Sequence, residues 1–224
     1  MSEVFETRSS SPLLFLALVL GSFMLSYIPI MNWPFSWMMT FFHEISHGIA
    51  ALLTGGSIDS IRLHLRGSGL CTTIGGISFI ISLAGYLGAV IWGMGIYLMA
   101  DTLNKRHADE LAIFIVSIVL LSAVLWGRDL ITLLIMAVLI VVWMSIMKLN
   151  DNAYIKIGIK FIGIFILLDA IKAPLHLIDG RHYGDGARLA DLTGIPELVW
   201  VTTWFLIASS GLYALWKMSN KAHA

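Results

Sequence analysis

The sequence predicts an all-α polytopic membrane protein with about seven transmembrane helices. Three observations carry that prediction. Of the 224 residues, 58% are hydrophobic and only 12% are charged, against about 25% charged in soluble domains. The mean hydropathy is +0.86. Long apolar runs recur along the chain, separated by short polar or glycine-bearing breaks. No polar stretch is long enough to bury a core of its own, so residues 1–224 read as one integral-membrane domain. The formal net charge is zero, with no basic tail or acidic run. Nucleic acid therefore has no support as a partner, and the lipid bilayer is the expected surrounding. The lone Cys71 excludes an intramolecular disulfide.

The expected spans run over 12–31, 34–54, 73–100, 110–126, 130–147, 155–173 and 197–216. Residues 13–20 have the apolar core of a signal peptide. No cationic leader precedes them and the run continues to Met31, so a retained first span is expected. The second span is apolar throughout from Trp33 to Thr54 except at its ionisable centre. After it, residues 55–72 alternate Ile58, Ile61, Leu63 and Leu65 with polar residues between glycines, the pattern of a short strand or β-hairpin. The third span is glycine-rich, and Gly85, Ala89 and Gly93 form a small-residue ridge whose expected role is mostly helix packing. Gly127-Arg128-Asp129 predicts a tight turn, because 110–147 is far too long for one crossing. Residues 179–194 are polar, acidic and glycine-rich. Trp33, Trp37, Trp200 and Trp216 lie near span ends and read as interfacial anchors. Lys and Arg divide seven against seven between the two sides, so the positive-inside rule assigns no orientation.

The second span carries the chemistry. His43-Glu44-Ile45-Ser46-His47 has the HExxH spacing, inside a helix roughly 33 Å long if it runs from Trp33 to Thr54. Residues at i and i+4 share a helix face with Cβ atoms about 5–6 Å apart, so His43 and His47 can point at one zinc ion. Glu44, about 100° further round the helix, can reach a water as general base. A carboxylate and two imidazoles at that depth are costly to place, which marks them as functional. The competing structural reading is an interhelical hydrogen-bonding histidine pair beside a neutral buried acid.

Three stretches together resemble the site-2 protease family of intramembrane zinc metalloproteases, and in particular its short members: HEISHGIAALLTGG (43–56), SLAGYLGAVIWG (82–93) and DGARLADLTGIP (185–196). The resemblance implies that His43, His47 and a distant aspartate hold Zn2+ and that Glu44 activates water. It also implies that the partner is a transmembrane protein substrate. The Ala84-Gly85 segment lacks the family's usual proline and asparagine.

Three aspartates are candidates for the third ligand: Asp185, Asp179 and Asp169. Asp185-Gly186-Ala187-Arg188-Leu189 matches the family pattern after the aspartate, whereas Pro174 to Gly180 matches the part before it better. Asp185 is preferred because it opens a short helical pattern, with Leu189 and Leu192 on one face, that ends at Thr193-Gly194 ahead of Pro196. Backbone N–H groups at a helix start would hold its carboxylate. His64 and His107 read as solvated, and His176 and His182 as possible neighbours of the site. Two rival functions are a zinc-binding membrane transporter and an inactive protease relative that binds membrane proteins. A transporter should offer polar residues on several helices, and only Asp169 stands out in the remaining spans. An inactive relative should have lost Glu44 or a histidine, and all three are present.

Overall fold

The computed structural model describes residues 11–102, 105–178 and 182–221. Eight α-helices, a β-hairpin and one 3-10 turn make up these residues. In chain order they are α1 (Pro12–Leu25), α2 (Pro29–Leu53), β1 (Ser57–Leu63), β2 (Gly69–Ile74), α3 (Ser78–Thr102), α4 (Lys105–Trp126) and α5 (Leu130–Met147). Then follow α6 (Asn152–Lys172), the 3-10 turn (Ala173–Leu177), α7 (Asp185–Thr193) and α8 (Glu197–Lys221).

Among the described residues, four helical stretches are long and apolar enough to cross a membrane alone: Ser78–Ala100, Lys105–Trp126, Leu130–Met147 and Glu197–Asn220. A fifth is reached by joining α1 to α2, which bend by 110° at the short break between them. This falls short of the seven crossings expected. The run 155–173 does form α6, but Lys156, Lys160, Asp169 and Lys172 load that helix with charge.

The two long helices that fail the apolar test alone, α2 and α6, are inner ones. From Trp37 to Ala51, α2 is buried on nearly every face, and α6 buries residues around its whole circumference from Ile159 to Ala170. Protein rather than lipid surrounds them. Even Lys160 is only 1% exposed, with its ammonium 5.1 Å from the centre of the Tyr97 ring. Outer helices instead present large apolar side chains, among them Ile91, Leu121, Val124, Leu134 and Leu206. In water such a surface would signal association; on apolar helices of this length it is the face that meets lipid.

Close backbone approach binds α3 to α6. A Cβ on Gly163 would come within 2.7 Å of the Gly93 carbonyl oxygen and 2.8 Å of the Tyr97 nitrogen. A Cβ on Gly93 would come within 3.0 Å of the Gly163 carbonyl oxygen. The two glycines thus let the helices cross at the backbone.

The hairpin joins antiparallel strands with Ile61 opposite Cys71, and a bulge at Asp59 shifts the register between Ile58 and Ser60. Ile58, Ile61 and Leu63 face inward and are buried. Two hydrogen bonds tie its turn to α2: Trp37 Nε1 donates to the Leu65 carbonyl at 3.0 Å, and Thr40 Oγ1 donates to the Gly67 carbonyl at 2.8 Å. Trp37 is 7% exposed, so it is a buried strut of the hairpin and not an interfacial anchor. Trp33 and Trp216 do lie exposed.

The outer edge of β1 meets the α4–α5 turn. Ile61 bridges Gly127, and the Leu63 N–H donates to Thr132 Oγ1 at 2.8 Å. Gly127 to Asp129 form a true break between helices. Asp129 caps α5 by accepting from the Thr132 N–H at 2.9 Å. That backbone donor holds the Asp129 carboxyl below its usual range.

A substitution at the crossing tests this packing. Gly163→Leu must drive side-chain atoms into the α3 backbone and is expected to cost at least about 1–3 kcal/mol. Gly158→Ala on the same helix has nothing within 4 Å of the new Cβ. It should be neutral or stabilising by up to roughly 1 kcal/mol. Thermal unfolding in detergent measures both; equal melting temperatures would refute the close crossing.

Candidate metal centre

His43 and His47 project from one face of α2, one helical turn apart. The Nε2 atoms of the two rings lie 3.1 Å apart. Asp185, the first residue of α7, reaches both: its Oδ2 is 3.1 Å from His43 Nε2 and 3.2 Å from His47 Nε2. Of the three candidate aspartates, then, the fold brings Asp185 to the histidines. Asp169 lies elsewhere and pairs with Lys172 at 3.1 Å. Asp179 falls outside the described residues.

The local structure around Asp185 explains its position. Gly184 precedes α7 with φ of 99°, a backbone conformation that favours glycine, and Gly194 ends the helix in the left-handed region. Gly186, Ala187 and Leu189 form the buried face, while Leu192 is exposed rather than sharing it. The carboxylate is not held by backbone N–H groups of its own helix start, as the sequence suggested. The two imidazoles hold it instead.

A third helix sets the depth of the cluster. A Cβ on Gly85 of α3 would lie 2.6 Å from His43 Cε1 and from His47 Cε1, and closer still to His47 Nε2. One turn on, a Cβ on Gly88 would collide with Ser46. The α3 backbone therefore presses directly on the imidazoles. Gly85 was expected to serve mainly helix packing, but what it packs against is the site itself. His47 is fixed further by the Ile81 carbonyl, 2.6 Å from Nδ1. A carbonyl can only accept, so a ring proton sits on Nδ1, and Nε2 is the atom left to offer a lone pair to a cation. His43 Nδ1 is buried with no hydrogen-bond partner among the described residues.

Glu44 lies beside the cluster and is 5% exposed. Strand β2 packs against it: the Cys71 backbone N–H lies toward its carboxylate, and a Cβ on Gly69 would come within 2.6 Å of Oε1. The histidines, Glu44 and Asp185 all line one cavity of about 750 Å³, which also takes in Tyr86 and the β2 segment from Gly69 to Thr73. His176 and His182 line it as well, though neither joins the cluster. His182 pairs with Asp191 at 3.0 Å, a hydrogen bond that raises its pKa above the ordinary histidine value. His64 is exposed.

The donor set fits a divalent cation. Two imidazole nitrogens and a carboxylate oxygen at mutual contact are held together either by protons on the nitrogens or by a cation among the three atoms. His43, His47 and Asp185 each offer one ligand atom, and all three lie within 4.8 Å of one another. Tetrahedral zinc with ligands at about 2.0–2.1 Å separates its ligand atoms by about 3.3 Å, close to the contacts found here.

These features describe a membrane-embedded protein with an HExxH helix closed by a distant aspartate. The chain matches the family model for peptidase M50B-like proteins over residues 13–215 and belongs to that family, within the site-2 proteases. It is accordingly an integral, multi-pass membrane protein. No curated protein and no solved structure matches the chain.

Gly85→Ala tests the three-helix construction. The added methyl group should force the imidazoles apart and lower the zinc retained by purified protein, while Gly95→Ala, with open space at its Cβ, should retain the wild-type amount. Metal analysis of both proteins decides, and undiminished zinc in Gly85→Ala would contradict the close contact.

Proposed function

We propose that this protein is an intramembrane zinc metalloprotease that hydrolyses peptide bonds of membrane-embedded protein substrates. His43, His47 and Asp185 hold the zinc, and Glu44 is the general base. One observation carries the reading: three ligand atoms of a His-His-Asp set converge to 3.1–3.2 Å, with a carboxylate beside them that is not part of the set. Zinc held there supplies Lewis acidity, which makes water a nucleophile near neutral pH and polarises a carbonyl.

The chain's own residues do the rest. Glu44 takes a proton from the attacking water and passes it to the leaving amide nitrogen. Its approach to the Cys71 N–H and its packing against Gly69 keep the carboxylate in place for both transfers. The Ile81 carbonyl keeps His47 in the tautomer that turns its lone pair to the cluster.

The hairpin suits an extended substrate. β1 is occupied on its outer edge by Gly127 and Thr132, whereas among the described residues β2 pairs with β1 alone and lines the cavity. A peptide bond within a transmembrane helix must leave the helix before it can be cut. The free edge of β2 offers backbone partners to the unwound segment by strand addition. The Cys71 N–H, directed at Glu44, places that edge beside the base.

Cleavage of a model transmembrane substrate in proteoliposomes, with zinc content measured in parallel, tests the assignment. Glu44→Gln should keep its zinc and lose at least ~10²-fold in rate, the low end of general-base contributions. His43→Ala, His47→Ala and Asp185→Ala should each lose zinc and activity, while Asp169→Ala keeps both. Wild-type cleavage by Glu44→Gln would defeat the protease reading. So would loss of zinc flux, rather than of cleavage, in these variants, which would favour a transporter.

A further inference from the structure

Attack on a peptide carbonyl moves a pair of electrons onto its oxygen, and hydrogen-bond donors fixed near that oxygen lower the barrier. Among the donors lining the cavity that the scheme above leaves unused, one packs directly against a histidine of the cluster. Tyr86 lies on α3, one residue after the glycine that presses on both imidazoles. Its ring meets the His43 ring edge-on, with centroids 4.4 Å apart. On another side it packs against Trp204 at 4.7 Å, and Trp204 itself is 1% exposed. The phenol is therefore held between a member of the triad and a fixed indole.

Tyr86, Asp185 and Glu44 line the same cavity. No hydrogen bond to the Tyr86 hydroxyl is found among the described residues, and its oxygen is not one of the sealed, partnerless polar atoms. It opens on the cavity that Tyr86 lines. Two other cavity-lining donors are engaged: His182 is bonded to Asp191, and Arg188 reaches Ser78 Oγ at 3.4 Å.

We propose that Tyr86 is a catalytic residue, resting on the protease reading above: its hydroxyl donates a hydrogen bond to the scissile carbonyl oxygen as negative charge develops there. In that step a C–O bond forms between water oxygen and the carbonyl carbon. The π pair moves to the carbonyl oxygen, and the water proton goes to Glu44. When the pair returns, the C–N bond breaks and Glu44 delivers the proton to nitrogen. Tyr86 keeps its own proton throughout, as a phenol with an ordinary pKa of about 10 can at neutral pH. It gives a hydrogen bond that is strongest when the oxygen is anionic. A donor aimed at the developing charge lowers the barrier without tightening substrate binding.

Tyr86→Phe keeps the ring between His43 and Trp204 and removes only the hydroxyl. Expected are unchanged zinc content, unchanged KM and a kcat lower by about 10²-fold, the usual loss for one such donor. A phosphinic peptide, whose tetrahedral anion resembles the charged oxygen, should bind the Phe variant about 10²-fold more weakly in equilibrium dialysis. Should the Phe variant unfold, 3,5-difluorotyrosine at position 86 keeps the falsification open. Its fluorinated phenol is a stronger hydrogen-bond donor and must change phosphinic-peptide affinity at constant zinc content, which a packing role would not do. Wild-type kcat and undiminished phosphinic-peptide affinity in Tyr86→Phe, with Glu44→Gln inactive, would overturn the role of the hydroxyl and leave the protease reading standing. Absence of cleavage by the wild-type protein would defeat that reading and this proposal together.

Discussion

A helix that carries two imidazoles and a carboxylate at membrane depth must be surrounded by protein, because lipid offers those groups neither hydrogen bonds nor charge. Much of this architecture follows from meeting that requirement for α2. The α3 backbone covers the histidines through Gly85, and β2 covers Glu44 through Gly69 and Cys71. α7 brings Asp185 to the remaining side. Each cover is a close approach that a larger side chain would block, which is why glycines recur at the contacts. The polar cluster ends up facing only its own partners and one cavity.

The same requirement sorts the helices into two kinds. α4, α5 and α8 are apolar on their outer faces and can meet lipid. α2 and α6 hold the buried ionisable residues Glu44, His47 and Lys160 and lie inside. The crossing of α3 with α6 at Gly93 and Gly163 joins the two halves of that interior. Through it α6 braces the helix that presses on the imidazoles. Lys160 shows how far the enclosure goes, since its charge rests against the Tyr97 ring and not against lipid or water.

Hydropathy read the outer helices well and the inner ones only as helices. The apolar runs that became α3, α4, α5 and α8 are legible because lipid selects for them. Seven crossings are not recovered from length and apolarity alone, because an inner helix need not be apolar and α6 carries charges along its length. The HExxH spacing disclosed the histidine pair, since a period of 3.6 residues fixes which side chains share a face. Asp185 was legible as the start of a short helix between glycines, although what steadies its carboxylate was misjudged. The Ile81 carbonyl and the Cys71 N–H left no trace, because every residue offers the same backbone groups. Tyr86 was also missed: a tyrosine in an apolar span looks like packing until its neighbours are known. Trp37 erred the other way, since a tryptophan near a span end reads as an anchor unless the hairpin folding back on it is foreseen.

The His-His-Asp cluster also has a chronology. Its two imidazoles occur at residues 43 and 47, while its carboxylate arrives only at residue 185, on a helix that packs against α3 and α8. As the chain is synthesised, α2 is made long before α7 exists, so the cluster cannot close until most of the protein has been translated and the last helices have docked. A chain truncated before α7 would keep the signature motif yet have no complete ligand set. The third donor of the cluster, its carboxylate, is thereby absent from every copy whose synthesis stops before α7.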